Sequence, residues 1–216
     1  MTRIAVLGGT GYAGSNIAAA GVRRGHQVTA WSRNAPEHPV AGVEYRTGDV
    51  ADPTVVAAAL EDTDVVLTAL SPRGTLAGEG VMRAVEKGIA EQAMARGIRF
   101  GMVGGAGSLR VSEGGPKVYD APDFNPEWRR DSVEVETVMT DLAETPESFD
   151  WFVISPAGEF GAWNPGEHTG SYRTSSEVLL TDESGRSVIS GADFGEAFLD
   201  EVERPAHHRE RFGVAY

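Results

Sequence analysis

With 216 residues, 41% of them hydrophobic and 24% charged, the chain can build one α/β domain with a real core and is too apolar for a disordered segment. A formal net charge of -13 disfavours a polyanionic partner, because phosphate backbones need clustered Lys and Arg, so no nucleic-acid role is expected. The lack of cysteine excludes disulfides, thiolate metal sites and a Cys nucleophile, and no window approaches a membrane span, so a cytoplasmic location is the default expectation.

Arg3 to Leu7 is a short apolar run ended by Gly8-Gly9, the pattern of a buried parallel strand. A helix is predicted from about Gly11 to Arg24, strands over 27–32 and 43–47, and a helix over 53–61 with Asp52 as N-cap and Pro53 at its first position. A fourth strand follows over 64–70, a helix over 79–96, a fifth strand over 100–103, a helix over 128–144 and a sixth strand over 150–154. Strand–helix alternation at this spacing implies right-handed crossovers in a Rossmann-type doubly wound parallel sheet.

After Ser155-Pro156 the pattern changes to Gly, Pro and short extended pieces, until Ser190 opens a helix through Glu203. This last third has no evident core of its own. One domain over 1–216 is expected, with 155–190 as a small lid of loops and short strands on the carboxyl edge of the sheet, where ligands of open α/β sheets bind.

Gly8, Gly11 and Gly14 stand right after the first strand and at the mouth of the first helix. Gly8 permits a tight turn, Gly11 lets backbone approach a pyrophosphate, and Gly14 lets the helix pack close on the sheet. Thr10, Tyr12 and Ala13 complete this turn, whose free N–H groups and helix dipole suit phosphates. A glycine triplet also marks turns that bind nothing, so its position in the strand–helix alternation is what makes it a dinucleotide signal.

Folds that prefer NAD place an acid at the end of the second strand, and a carboxylate there repels a 2′-phosphate. Here Trp31-Ser32-Arg33-Asn34 occupies that place, and Arg33 can fork onto a phosphate with Ser32 or Asn34 adding a donor. NADP(H) is therefore favoured over NAD(H), the alternative being a solvated Arg33. Asp49 and Val50 follow the third strand, where they either meet an adenine or, for Asp49, cap the loop before Pro53. Ala69-Leu70-Ser71 and Gly104-Gly105 end the fourth and fifth strands with small residues that leave room for a nicotinamide ribose, or that simply make tight loops.

No Tyr-x-x-x-Lys occurs, since the two lysines, Lys87 and Lys117, do not follow a tyrosine at that spacing. The usual alcohol–ketone acid/base pair is thus unsupported. His207-His208 lack a third ligand at useful spacing, so no metal site is expected.

With the Gly8–Gly14 turn, Val103-Gly-Gly-Ala-Gly-Ser-Leu109, Asp150–Ala157, Thr169-Gly-Ser-Tyr172 and Gly185–Ser190 taken together, the chain resembles the atypical short-chain dehydrogenase/reductases. Within them it is similar to the NADH–flavin reductase and NmrA-like NAD(P)-binding proteins and to biliverdin reductase B. The resemblance implies hydride transfer from a reduced nicotinamide to a flavin, or to another planar conjugated acceptor. In biliverdin reductase B a serine stands where Gly105 is the best match here, and a histidine falls near Gly158-Glu159, so a tetrapyrrole-reducing mechanism is not carried over. The only candidate for a catalytic side chain is Ser108. An acceptor pocket is expected from Ser108, Leu109, Pro156, Phe160 and Trp163, with Tyr172 and Arg173 closing over it; the two aromatics could equally plug the loop onto the domain. The other function class left open is a non-catalytic NADP(H) sensor of the NmrA kind, and a monomer or homodimer is expected.

Overall fold

The computed structural model describes all residues 1–216. In chain order its elements are β1 (Arg3–Leu7), α1 (Tyr12–Arg23), β2 (Gln27–Ser32), β3 (Glu44–Thr47), α2 (Pro53–Ala59), β4 (Val65–Thr68), α3 (Val81–Ala95) and β5 (Arg99–Val103). Then come α4 (Pro126–Ala143), β6 (Trp151–Ser155), β7 (Arg173–Ser175), α5 (Gly191–Glu203) and β8 (Glu210–Ala215). The eight strands form one sheet in the order β3-β2-β1-β4-β5-β6-β8-β7, with every neighbouring pair parallel except β7 and β8. Strand order reverses between β1 and β4, which opens a crevice at their carboxyl ends. No helix is long and apolar enough to cross a membrane.

β4 and β6 are buried along their whole length, as continuous apolar runs in the middle of a parallel sheet must be. One core packs α2, α3 and α4 on one face, and the other packs α1 and α5 on the opposite face. The helix starts follow capping chemistry: Asp52 accepts from the Thr54 N–H at 2.8 Å ahead of Pro53, and Ser190 accepts from the Asp193 N–H at 3.0 Å. The third helix instead borrows its cap from the fourth. Glu134 accepts from the N–H groups of Gly80 and Arg83, each at 3.0 Å, which fixes the α3–α4 pairing at the carboxyl edge.

The structure departs from the sequence reading in the last quarter of the chain. Far from lacking a core, α5 buries nine residues, among them Phe194, Phe198 and Leu199, against α1 and the sheet. Its approach to α1 is close because Cβ atoms at Gly191 and Gly195 would lie 2.4 and 2.5 Å from atoms of Asn16. β8, absent from the sequence reading, pairs with β6 and closes the second core with Phe212 and Val214. Asp193 ties the lid to this unit: its buried carboxylate accepts from the N–H groups of Thr169 and Gly170, each at 2.8 Å, and from the hydroxyls of Ser190 and Tyr216. Burial opposes the charge, but hydrogen bonds from Tyr216, Thr169, Gly170 and Ser190 outweigh it and hold the carboxyl below the usual carboxylate range.

One buried carboxyl goes the other way. Glu86 on α3 is 1% exposed, its Oε2 has no partner, and neither has Oγ1 of Thr68 at the tip of β4. Burial pushes the Glu86 carboxyl up to about 8. The folded state therefore holds a proton that the unfolded chain, near 4.5, gives up. Stability contributed by this proton is complete below the unfolded value and drains as pH rises towards about 8, at up to about 1.4 kcal/mol per pH unit. In urea titrations between pH 5 and 8 the wild-type protein should lose stability relative to Glu86→Gln, which keeps a neutral side chain at every pH; parallel pH profiles for the two would contradict a protonated Glu86.

Candidate functional site

The turn after β1 is shaped by two close approaches. Gly8 has φ +83°, and a Cβ at Gly14 would lie 2.3 Å from the Gly8 carbonyl oxygen, so only glycine lets α1 pack down on the end of β1. Gly11 is different: a Cβ there meets only the Gly8 oxygen, at 3.4 Å, and the residue faces solvent. It is the N-cap of α1, with no side-chain cap and no acidic residue in the first turn, so the helix presents its N–H groups and positive dipole end to the crevice.

Along this crevice runs a cleft of about 220 Å³. It gathers Gly8, Thr10 and Gly11 from the turn, Ser32 and Arg33 from the β2 end, Asp49 and Val50 from the β3 end, and Ala69, Leu70 and Ser71 from the β4 end. Tyr12, Ala13, Gly14, Gly104 and Gly105, expected with them, lie outside its lining. Tyr12 turns its phenol to the Pro165 carbonyl at 3.2 Å. Gly104 is buried because a Cβ there would lie 2.6 Å from Ser155 Oγ, whereas Gly105 has only Val135 within 4 Å.

Side chains at the β2 and β3 ends are already engaged. Arg33 donates to Thr75 Oγ1 at 2.6 Å, Ser32 donates to the Asn34 carbonyl at 2.6 Å, and Asp49 accepts from the Ala51 N–H at 3.0 Å. Thr75 belongs to a strap, residues 71–80, that also lines the cleft through Arg73 and the buried Leu76. Sequence reasoning missed these residues; the only signal was the Ser71-Pro-Arg-Gly74 turn. Arg73 pairs at 3.5 Å with Asp131 on α4, joining the strap to the first turns of that helix.

The expected acceptor pocket needs correction. Ser108 and Leu109 are 0% and 1% exposed, and Pro156 is also buried, so these three lie in packed interior. The Ser108 hydroxyl donates to the Gly105 carbonyl at 3.2 Å and accepts from Arg211 at 2.9 Å. Arg211, on β8, is itself nearly buried; burial lowers its pKa, which Glu177 at 3.5 Å counteracts. Ser108 is thus a bolt between the β5 exit and β8, a role that needs a partner 103 residues away. Phe160 packs between Tyr12 and Phe194, at 5.1 and 4.5 Å between ring centres, and only Trp163 stands out, 69% exposed.

Tyr172 and Arg173 do not close over the cleft either. Tyr172 donates to Asp200 at 2.6 Å, and burial, then that carboxylate, raises its pKa, while Arg173 donates to the carbonyls of Thr181 and Tyr216. Lys117 does reach a tyrosine in space, 5.5 Å from the Tyr119 ring, but ammonium and phenol both end on Glu136. His207 stacks on Phe212 at 3.8 Å and bonds to Glu201.

Residues 8–205 match the family model described as NAD(P)H-binding. The chain is 35% identical to the uncharacterized protein YwnB of Bacillus subtilis, over 98% of this chain and 97% of that one. Its fold is similar to the crystal structure of a "putative NADH-flavin reductase" from Streptococcus pneumoniae, with a TM-score of 0.81 and 29% identity over 100% of this chain and 99% of that chain. It is also similar in fold, at 16% identity and a TM-score of 0.73 over 99% and 97% of the two chains, to ChuY, an anaerobilin reductase of Escherichia coli O157:H7. The uncapped α1 start, the Gly8–Gly14 turn and the switch-point cleft are what a nicotinamide dinucleotide requires of this fold. The chain belongs to the NAD(P)H-binding family of Rossmann-type oxidoreductases, in its atypical short-chain dehydrogenase/reductase branch.

Proposed function

We propose that this protein is an NADPH-dependent reductase that delivers hydride to a flavin or another planar conjugated acceptor. The observation carrying the cofactor half is Arg33: its guanidinium lines the β2 end of the cleft, and the only carboxylate in the lining, Asp49, is at the β3 end with one oxygen committed to its own loop. Thr75 is an uncharged acceptor at an exposed contact, so a 2′-phosphate can replace or share it with a stronger ion pair. Gly11 and the first turn of α1 hold the pyrophosphate, Val50 and Asp49 the adenine, and Ala69 to Ser71 with Gly105 leave room for the nicotinamide half.

Bound NADPH supplies a hydride. The chain leaves neither Ser108, which is sealed in, nor Tyr172, which is held on Asp200, free for general-acid work beside the strand tips. Its contribution is to align two rings, and the proton follows from water to the reduced acceptor. The resemblance to flavin-reducing relatives supports the acceptor class.

NADPH should bind roughly ten- to a hundredfold more tightly than NADH, and Arg33→Ala should erase most of that gap. Equal dissociation constants in the wild-type protein would overturn the NADP assignment. Gly11→Val should fold normally, since a Cβ there meets only the Gly8 carbonyl oxygen, at 3.4 Å, yet lose dinucleotide binding; an unchanged NADPH titration would make the turn purely structural. Ser108→Ala should cost about 1–3 kcal/mol of stability, by leaving Arg211 short of an acceptor, while changing the steady-state rate far less than the ~10²-fold or more of a lost general acid. A loss in that catalytic range with unchanged stability would restore Ser108 as a catalytic residue. The reading as a whole is tested by following NADPH oxidation with FMN, FAD, riboflavin and a quinone; tight NADPH binding without turnover of any of them would leave the NADP(H)-sensor function.

A further inference from the structure

The sequence expectation built the acceptor pocket from Ser108, Leu109, Pro156, Phe160 and Trp163, but the first three of these are interior. A second aromatic, on the other face of the sheet, is largely exposed. Trp128, on the first turn of α4, is 56% exposed, whereas Trp31 and Trp151 are buried. Its start is rigid: Asn125 Oδ1 accepts from the N–H groups of Glu127 and Trp128 at 2.8 and 3.3 Å, and Pro126 holds the first helical position. Its ring leans edge-on against Phe124, with 6.5 Å between centres and 72° between planes.

Two contacts place the start of α4 at the carboxyl edge of the sheet, beside the exit of β5. The turn that leaves β5 is pressed on α4 at Gly107, where a Cβ would lie 2.2 Å from Ser132 Oγ and 3.2 Å from the Phe124 ring. Ser132 donates to the Trp128 carbonyl at 2.7 Å, so Trp128 stands one turn further out, above the strand ends. Asp131, three residues on and therefore on the same side of the helix, meets Arg73, which lines the cofactor cleft.

We propose that Trp128, backed by Phe124, is the α4-side wall of the acceptor site and determines which planar acceptors are taken. Trp163 stands at the same edge on the opposite face of the sheet, in the hairpin that Tyr12 holds through Pro165. A flat conjugated ring stacks on a fixed indole at little entropic cost, since neither the helix start nor the Phe124 contact has to form on binding. The inference rests on the reading of the protein as a reductase of planar acceptors, and it assigns the acceptor-selecting role to a residue outside the expected lid.

The test combines kinetics with binding. In the NADPH-driven assay with riboflavin, Trp128→Ala should raise the acceptor KM about tenfold or more, as loss of one stacking partner does. It should leave kcat within about threefold and NADPH affinity unchanged, and Trp128→Phe should recover most of the loss. Riboflavin titrated into the NADP⁺-loaded wild-type protein should quench tryptophan fluorescence, with most of the quenching gone in Trp128→Ala. If the wild-type protein turns over acceptors and Trp128→Ala changes neither KM nor quenching, the wall is elsewhere and this inference falls, while the reductase reading stands. If riboflavin quenches through Trp128 without being reduced, the placement holds and the reductase reading falls. Absence of any Trp128-dependent quenching overturns the placement whatever the turnover.

Discussion

The architecture turns on one contact, the approach of α1 to the end of β1. With Gly14 against the Gly8 carbonyl, the helix axis comes down on the strand tip and its uncapped N-terminus is aimed along the crevice. Any Cβ at residue 14 would lift the helix and turn its dipole away. The same helix is the platform for α5, whose Gly191 and Gly195 let it press on Asn16, and α5 in turn anchors the 165–171 loop through Asp193. Cofactor turn, second core and lid are therefore one mechanical unit.

The opposite face of the sheet is less comfortable. Thr68 Oγ1, Glu86 Oε2, Ser155 Oγ and Arg211 Nε are all buried without a partner, and Thr68 and Ser155 end β4 and β6. Unpaired polar atoms in a core cost about 1–3 kcal/mol each when nothing replaces the lost water. The protein tolerates this layer directly beneath the strand tips, where apolar residues would pack better. Part of the cost is lowered by keeping the Glu86 carboxyl protonated, since a neutral acid is far cheaper to bury than a carboxylate.

The two faces also divide the labour of the crevice. On the α1 side the chain supplies backbone N–H groups and a glycine turn; on the α3–α4 side it supplies the strap with Arg73 and Thr75 and the rigid start of α4. Glu134 and the Arg73–Asp131 pair bind strap and helix together, so the cofactor cleft and the aromatic lip of α4 share a frame.

Features whose causes are local could be read directly from the residues. The apolar runs of β1, β2 and β4 to β6, the Asp52-Pro53 and Ser190 helix starts, the glycine turn and Arg33 after β2 each follow from neighbours a few residues away. β8 could not be read, because Glu210 to Ala215 emerges from a charged stretch and becomes a strand only when β6 offers its edge. The sealing of Ser108 by Arg211, the turning of Tyr172 to Asp200 and the meeting of Arg33 with Thr75 join positions 103, 28 and 42 residues apart. Whether a polar side chain faces ligand or interior is decided by which distant group reaches it first, and that is settled only when the sheet closes.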